Sequence, residues 1–377
     1  MKTLVGSACL LFFLGGCIQD EAPNVEAAID GCTGRNIQSL TIDHLNKEIE
    51  GYVLDGTDLS EQELVFSLPV GATVAPAEAE ANDRPSESIY DFSRVNVRRF
   101  VVTAEDGTTQ AVYQVRLNKL ALPTEYSFEN LRQTSPYHIM YLAGENDIMQ
   151  WASGNAGFEL TGMGFSPEDY PTVQIAEGYK GQAVKLETRD TGSFGAAVGM
   201  HIAAGNMFVG AFNVSNALQA PLEATRFGFP FTKMPVKLTG WYKYKCGEQL
   251  TGVDGNPVPG GRDKGDFYAV LYQVDSTDET LDGDLFPSGN PALANPPYDI
   301  DPRIVLMARI DNTVETDEWT WFELDFEPQN GKTVDRALLE TGSYKLAVVF
   351  TSSISGAYFQ GAVGSTLWVD EVNIVCE

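Results

Sequence analysis

The sequence predicts an all-β protein of two sandwiches: a smaller one of the immunoglobulin type, then a larger jelly roll. Three observations carry this. Apolar and polar residues alternate over short runs, the two-residue period of half-buried strands. Gly, Pro, Asn and Asp punctuate those runs at short spacings, as in sandwiches built of many strands. Helical patterning is confined to short pieces such as 334–340, so no long amphipathic helix competes with the strands.

A length of 377 residues suits two domains, or three. With 25 Lys and Arg against 52 Asp and Glu, the formal net charge is −27. Nucleic acid and anionic membrane surfaces are poor partners for such a chain, because phosphate binding needs a basic face. Neutral glycans and divalent cations stay compatible, and the acidity also serves solubility.

Met1 and Lys2 make a short basic start, and the apolar run 4–16 is too short to cross a bilayer. It ends in Leu14-Gly15-Gly16-Cys17, which resembles a bacterial lipobox. The resemblance implies a signal peptide over 1–16, acylation of Cys17, and an outer-membrane lipoprotein that meets the membrane through that lipid alone. Gln19-Asp20-Glu21 resembles the surface-export signal of Bacteroidetes lipoproteins and implies exposure at the cell surface. Residues 17–34 are small, polar and acidic and read as a tether. Cys32, Cys246 and Cys376 remain, an odd number that permits at most one intramolecular disulfide. Three His and no Cys-x-x-Cys argue against zinc.

The first sandwich is expected over 35–120, with strands near 37–42, 49–54, 64–68, 72–74, 97–104 and 111–117. The last two flank Glu105-Asp106-Gly107-Thr108, and Asp-Gly between alternating runs signals a hairpin. Phe100, Val102, Ala104 and Val112 are expected in its core. The run FVVTAEDGTTQAVYQVRL, with YDFS upstream, resembles the small Ig-like domains near the N-terminus of Bacteroidetes surface lipoproteins, which implies a spacer. Lys119–Thr124 reads as a linker, and the second domain is expected over 121–377. Nine or so candidate strands there, separated by Gly- and Pro-rich joints and the long loops 247–265 and 275–300, indicate a jelly roll.

Four places in the second domain could carry chemistry. In 236–245, Trp241 and Lys243 share a face with Lys237, Thr239 and Lys245, opposite Leu238, Tyr242 and Tyr244. A ring stacks on the apolar C–H face of a sugar and an ammonium donates to its hydroxyls; the alternative is a ring half buried under a loop. In 319–326, Trp319, Trp321, Glu323 and Asp325 share one face and Thr320, Phe322, Leu324 and Phe326 the other, so the first set is groove or solvent. Trp151 and Asn155 lie in a Gly-rich loop, where they either meet a ligand or plug the sandwich. Asp266 opens the strand after Lys243 and is expected to add a hydrogen bond beside Trp241 if the two strands end on one side.

The closing strand carries Leu367, Val369, Glu371, Asn373 and Val375 on one face and Trp368, Asp370, Val372 and Ile374 on the other. Asp370 therefore interrupts an apolar face and needs a partner. The form Leu-x-Val-Asp-x-Val resembles the last strand of jelly-roll carbohydrate-binding modules, where this Asp helps hold structural calcium. Glu129, in the first strand of the domain, is the expected second carboxylate for such a calcium, which wants six to eight oxygens; the alternative is that Asp370 binds backbone amides or a basic side chain. The acidic positions Asp275, Asp278, Asp282 and Asp284 lack EF-hand spacing. No spacing picks out a glycosidase acid pair, and Ser352-Ser353 has no His near it in sequence.

The stretches WASGNAGFELTG, AGNMFVGAF, FGFPFTKMPVKLTGWYKYKCG, DFYAVLYQV and TSSISGAYFQGAVGSTLWVDEV keep one order over nearly the whole second domain. Together they resemble the Bacteroidetes putative carbohydrate metabolism domain family. The resemblance implies a lipoprotein that binds glycan or polysaccharide through the jelly roll, without catalysis, alongside other polysaccharide-utilisation proteins. A glycoside hydrolase on the same fold and a structural or adhesion protein of the cell surface are the alternatives. Two facing carboxylates in a cleft would mark the hydrolase, and a broad apolar patch the adhesion protein.

Overall fold

The computed structural model describes residues 23–54, 57–120, 122–132, 136–142, 149–275, 279–283 and 301–377. Residues 1–16, Cys17, Asp278 and Asp284 lie outside the described residues.

The protein is all-β and built of sandwiches. In the first, a five-stranded sheet runs in the order Ile37–Asp43, Glu48–Leu54, Gln110–Leu120, Val97–Thr103, Thr73–Pro76. All its pairings are antiparallel except Glu48–Leu54 with Gln110–Leu120. The Asp-Gly hairpin joins Val97–Thr103 to Gln110–Leu120. Asp106 accepts the N–H groups of Thr108 and Thr109 at 2.9 and 2.8 Å, and Gly107 takes the positive φ the turn requires. Phe100, Val102, Val115 and Leu117 fill the core with Ile49 and Val53. Val112 departs from expectation and is half exposed, because Ala111, Tyr113, Val115 and Leu117 take the inward period. The tether expected up to residue 34 is also shorter: Ile29 is buried and Gly31–Thr33 pairs with Val65–Ser67.

The larger sandwich packs two antiparallel six-stranded sheets. One runs Thr172–Ile175, Ala183–Glu187, Thr366–Cys376, Pro235–Lys245, Thr316–Asp325, with Glu125–Tyr126 also on Thr366–Cys376. The other runs Asn206–Phe208, Tyr344–Thr351, Asp266–Gln273, Ile304–Arg309, Glu327–Pro328, with Phe229–Pro230 also on Tyr344–Thr351. Leu238, Tyr242 and Phe322 of the first sheet meet Phe267, Leu271, Val348 and Phe350 of the second. Each such side chain, fully buried, contributes about 1.5–3 kcal/mol. Loops cover the outer side of the second sheet, so Tyr268, Val270 and Tyr272 are buried there as well.

The closing strand does not keep strict alternation. Trp241 pairs with Asp370 and Thr239 with Asn373, so Glu371 and Val372 oppose Gly240 alone, a β-bulge. Glu371 takes φ 46° to make it. The bulge changes the period, and Leu367, Val369, Val372 and Ile374 all face the core. Trp368 and Asp370 are left on the outer side. Asp370 therefore does not break an apolar face, contrary to the sequence pattern.

Candidate functional site

The outer side of the first large sheet gathers tryptophan. Of five in the chain, Trp241, Trp319, Trp321 and Trp368 stand on it, on three neighbouring strands. Trp321 faces Trp241 directly across the strand pair, and the rings meet edge to face with centroids 5.4 Å apart. The Lys243 ammonium lies 4.8 Å from the Trp319 ring centre and 5.3 Å from that of Trp368, a cation held between two π faces. Tyr179 lies flat on Trp241, centroids 3.8 Å apart and planes 11° off parallel. Charged side chains edge the patch: Lys237 pairs with Glu323 and Asp325, and Lys185 with Glu187 at 2.9 Å. Rings with donors and acceptors at their edge, on a rigid sheet, can stack on a pyranose and bond its hydroxyls.

The residues singled out from the sequence divide. Trp241 and Lys243 lie on this face. Trp151 does not: it is 4% exposed and packs in the core against Tyr126, Phe128 and Phe350. Asn155 is fully buried, donating to the Thr172 carbonyl at 2.7 Å and accepting the Thr172 N–H at 3.0 Å. Both side chains are buried in packing contacts, and Trp151 also borders the cleft between the sandwiches, with Tyr52 and Arg132. Asp266 is not beside Trp241 either. Its strand belongs to the other sheet, and alternation turns it to that sheet's outer side, across the sandwich from Trp241. There its carboxylate takes two bonds from Arg309, at 3.1 and 2.6 Å. It borders an apolar cavity of about 180 Å³ that Phe194, Phe208, Leu218 and Tyr268 also line.

Glu129 and Asp370 converge on one turn. Asp370 accepts the Lys180 N–H at 2.9 Å and the Glu371 N–H at 2.8 Å, and Glu129 accepts the Gln182 N–H at 3.0 Å. Asp370 is wholly buried, and burial pushes its carboxyl up to about 6, with the N–H donors pulling it back and Glu371 adding to the push. Among the described residues, no three His, Cys, Asp or Glu come together as a metal cluster.

A buried network escaped the sequence reading. Asp263 accepts the Ser353 hydroxyl at 2.5 Å, the Ser365 hydroxyl at 2.8 Å and the Ala362 N–H at 2.8 Å. Thr188 bridges Ser352 and Ser353 at 2.7 and 2.6 Å. These hydroxyls tie the end of Tyr344–Thr351 to the start of the closing strand, and their partners here are hydroxyls and a carboxylate rather than an imidazole. The serines of TSSISG were visible; their partners, far along the chain, were not.

The family model described as "Putative carbohydrate metabolism domain" matches residues 127–375. The chain belongs to that family. Membership ties it to carbohydrate metabolism. A crystal structure described as a "putative glycoside hydrolase" from Bacteroides thetaiotaomicron VPI-5482 is 41% identical, covering 95% of this chain and 99% of its own, with a TM-score of 0.79. Another so described, from Bacteroides vulgatus ATCC 8482, is 38% identical, covering 69% of this chain and 100% of its own, with a TM-score of 0.61. No curated protein matches the chain.

Proposed function

We propose that the chain binds glycans on the outer tryptophan face of its large sandwich and serves polysaccharide capture. The observation that carries this is the gathering of Trp241, Trp319, Trp321 and Trp368 about Lys243 on one open sheet face. A monomeric core has no need of four indoles on its outer side, whereas polysaccharides present flat apolar faces that such rings match. In this reading a lipid on Cys17 anchors the protein at the outer-membrane surface, the first sandwich spaces the binding face from the bilayer, and other polysaccharide-utilisation proteins act beside it. The test is Trp321→Ala, measured for melting and on a glycan array. Trp321 is 47% exposed, so melting should hold while affinity for the array hits falls roughly ten- to hundredfold. Unchanged affinity on every hit would refute the assignment.

A second reading, hydrolysis, draws on the descriptions of the two neighbours and on a cleft of about 480 Å³ between the sandwiches. Glu50 and Glu159 line it. Burial raises both carboxyls above their ordinary range; Arg132 and Arg116 pull Glu50 back, and Asp43 pushes Glu159 further. A hydrolase needs one carboxyl that keeps its proton and one that has lost it. Reducing ends released by the wild type and not by Glu159→Gln would establish this reading; no release by the wild type would end it.

A further inference from the structure

Tyr179 is absent from every sequence motif, yet it takes the most direct position on the face. Its ring is 47% exposed and lies in van der Waals contact with Trp241. No sugar can enter between rings 3.8 Å apart, so the covered side of Trp241 is taken. Either Tyr179 leaves when a glycan arrives, or Tyr179 is itself the surface the glycan meets.

The turn that carries Tyr179 decides between them. The Gly178 N–H bonds the Gly181 carbonyl at 3.0 Å, which closes the turn. The Lys180 N–H bonds Asp370 at 2.9 Å and the Gln182 N–H bonds Glu129 at 3.0 Å. On the outside, the Lys180 ammonium reaches Glu371 at 3.2 Å. The two carboxylates pack closely against glycine: a Cβ on Gly178 would come within 2.8 Å of Asp370 Oδ2, and one on Gly181 within 2.2 Å of Glu129 Oε1. A turn held by four bonds is preorganised, not poised to swing.

We propose that Tyr179 is a sugar-stacking ring in its own right, backed by Trp241, and that Asp370 and Glu129 are positioning residues that hold its turn on the face. Trp321, equally exposed and 5.4 Å from Trp241, is the adjacent platform. Two platforms side by side on an open sheet suit an internal stretch of a neutral polysaccharide, several sugars long, and enclose no single terminal sugar. This inference rests on the glycan reading above.

The experiment uses the full chain and neutral gluco-, galacto-, manno- and xylo-oligosaccharides from disaccharide to hexasaccharide, by calorimetry. Affinity should rise with length. Tyr179→Ala and Trp321→Ala should each lower it roughly tenfold or more, and Tyr179→Phe should restore it. Glu129 is exposed, so Glu129→Ala is expected to fold. It should weaken binding in the wild-type background and change nothing when Tyr179 is already Ala, because it acts only through that ring. A Glu129→Ala loss of equal size in both backgrounds would show a general structural role and overturn the positioning claim. Wild-type affinity, or better, in Tyr179→Ala while Trp321→Ala loses binding would make Tyr179 a cover and overturn the inference alone. A wild type that binds none of the series overturns the glycan reading and this inference with it.

Discussion

Two buried aspartates at outward strand positions have opposite surroundings. Asp266 meets a guanidinium; Asp370 meets N–H groups and the neighbouring Glu371 carboxylate. Removing the first charge takes from Arg309 a carboxylate buried beside it, so Asp266→Asn should cost about 3–5 kcal/mol, read as a lower denaturant midpoint. Glycan affinity of the folded protein should be unchanged, because Asp266 faces away from the tryptophans. Burial raises both carboxyls, but only Asp266 has a guanidinium to pull it back; Asp370 has N–H groups alone. The Asp370 carboxyl stands at about 6 against an ordinary 3.8. A pKa raised by folding contributes stability that is fully present below the unfolded value and lost as pH climbs through the folded one. Melting followed from about pH 3.5 to 6.5 should therefore show the wild type losing stability relative to Asp370→Asn across that window. Parallel curves would show that the carboxyl titrates as it does in the unfolded chain. Trp151→Ala, in the core, should cost about 3–5 kcal/mol of stability, well beyond the cost of Trp321→Ala on the outer face.

At the scale of elements, the bulge in the closing strand has a steric condition. A Cβ on Gly240 would stand 2.8 Å from the Phe322 ring and 3.1 Å from Val372. Gly240→Ala should thus overpack the core and cost about 1–3 kcal/mol, seen as a lower melting temperature. Calcium has its own condition at Asp370. The Lys180 and Glu371 N–H groups point their positive ends at the carboxylate, an arrangement that suits an anion and opposes an added cation. Melting in chelator and in calcium should coincide; a rise with calcium that Asp370→Asn abolishes would restore the metal reading. The same strand shows what sequence can and cannot convey. The outward faces of Pro235–Lys245 and Thr316–Asp325 were legible because each strand alone keeps its two-residue period, and the period places Trp241, Trp319 and Trp321. The bulge was not legible, since an extra residue is defined only against the partner strand. Asp266 was misplaced for a related reason: which sheet a strand joins is decided by long-range pairing. Tyr179 stayed hidden because its loop is ordinary until Asp370, far along the chain, folds under it.

At the scale of the whole molecule, strand pairing stays within 31–120 or within 125–377 among the described strands, yet the packing crosses. Tyr52 of the first sandwich is buried in the core of the second, its ring 5.1 Å from Phe229 and its hydroxyl accepting the Gln150 N–H at 3.3 Å. We therefore expect residues 122–377 alone to melt as one cooperative unit, at a lower temperature than the full chain, and Tyr52→Ala in the full chain to reproduce part of that loss. A fragment without a transition would show that the sandwiches fold as one. The uneven placing of the five indoles has a consequence for the optical properties of the molecule. Emission from the four outer rings will respond to acrylamide and to anything that covers them, while Trp151, only 4% exposed, keeps emitting and stays largely shielded until the fold opens. One chain thus carries two separable fluorescent signals, a quenchable one for whatever covers the face and a protected one for integrity, and a titration with an oligosaccharide that covers the rings needs no label.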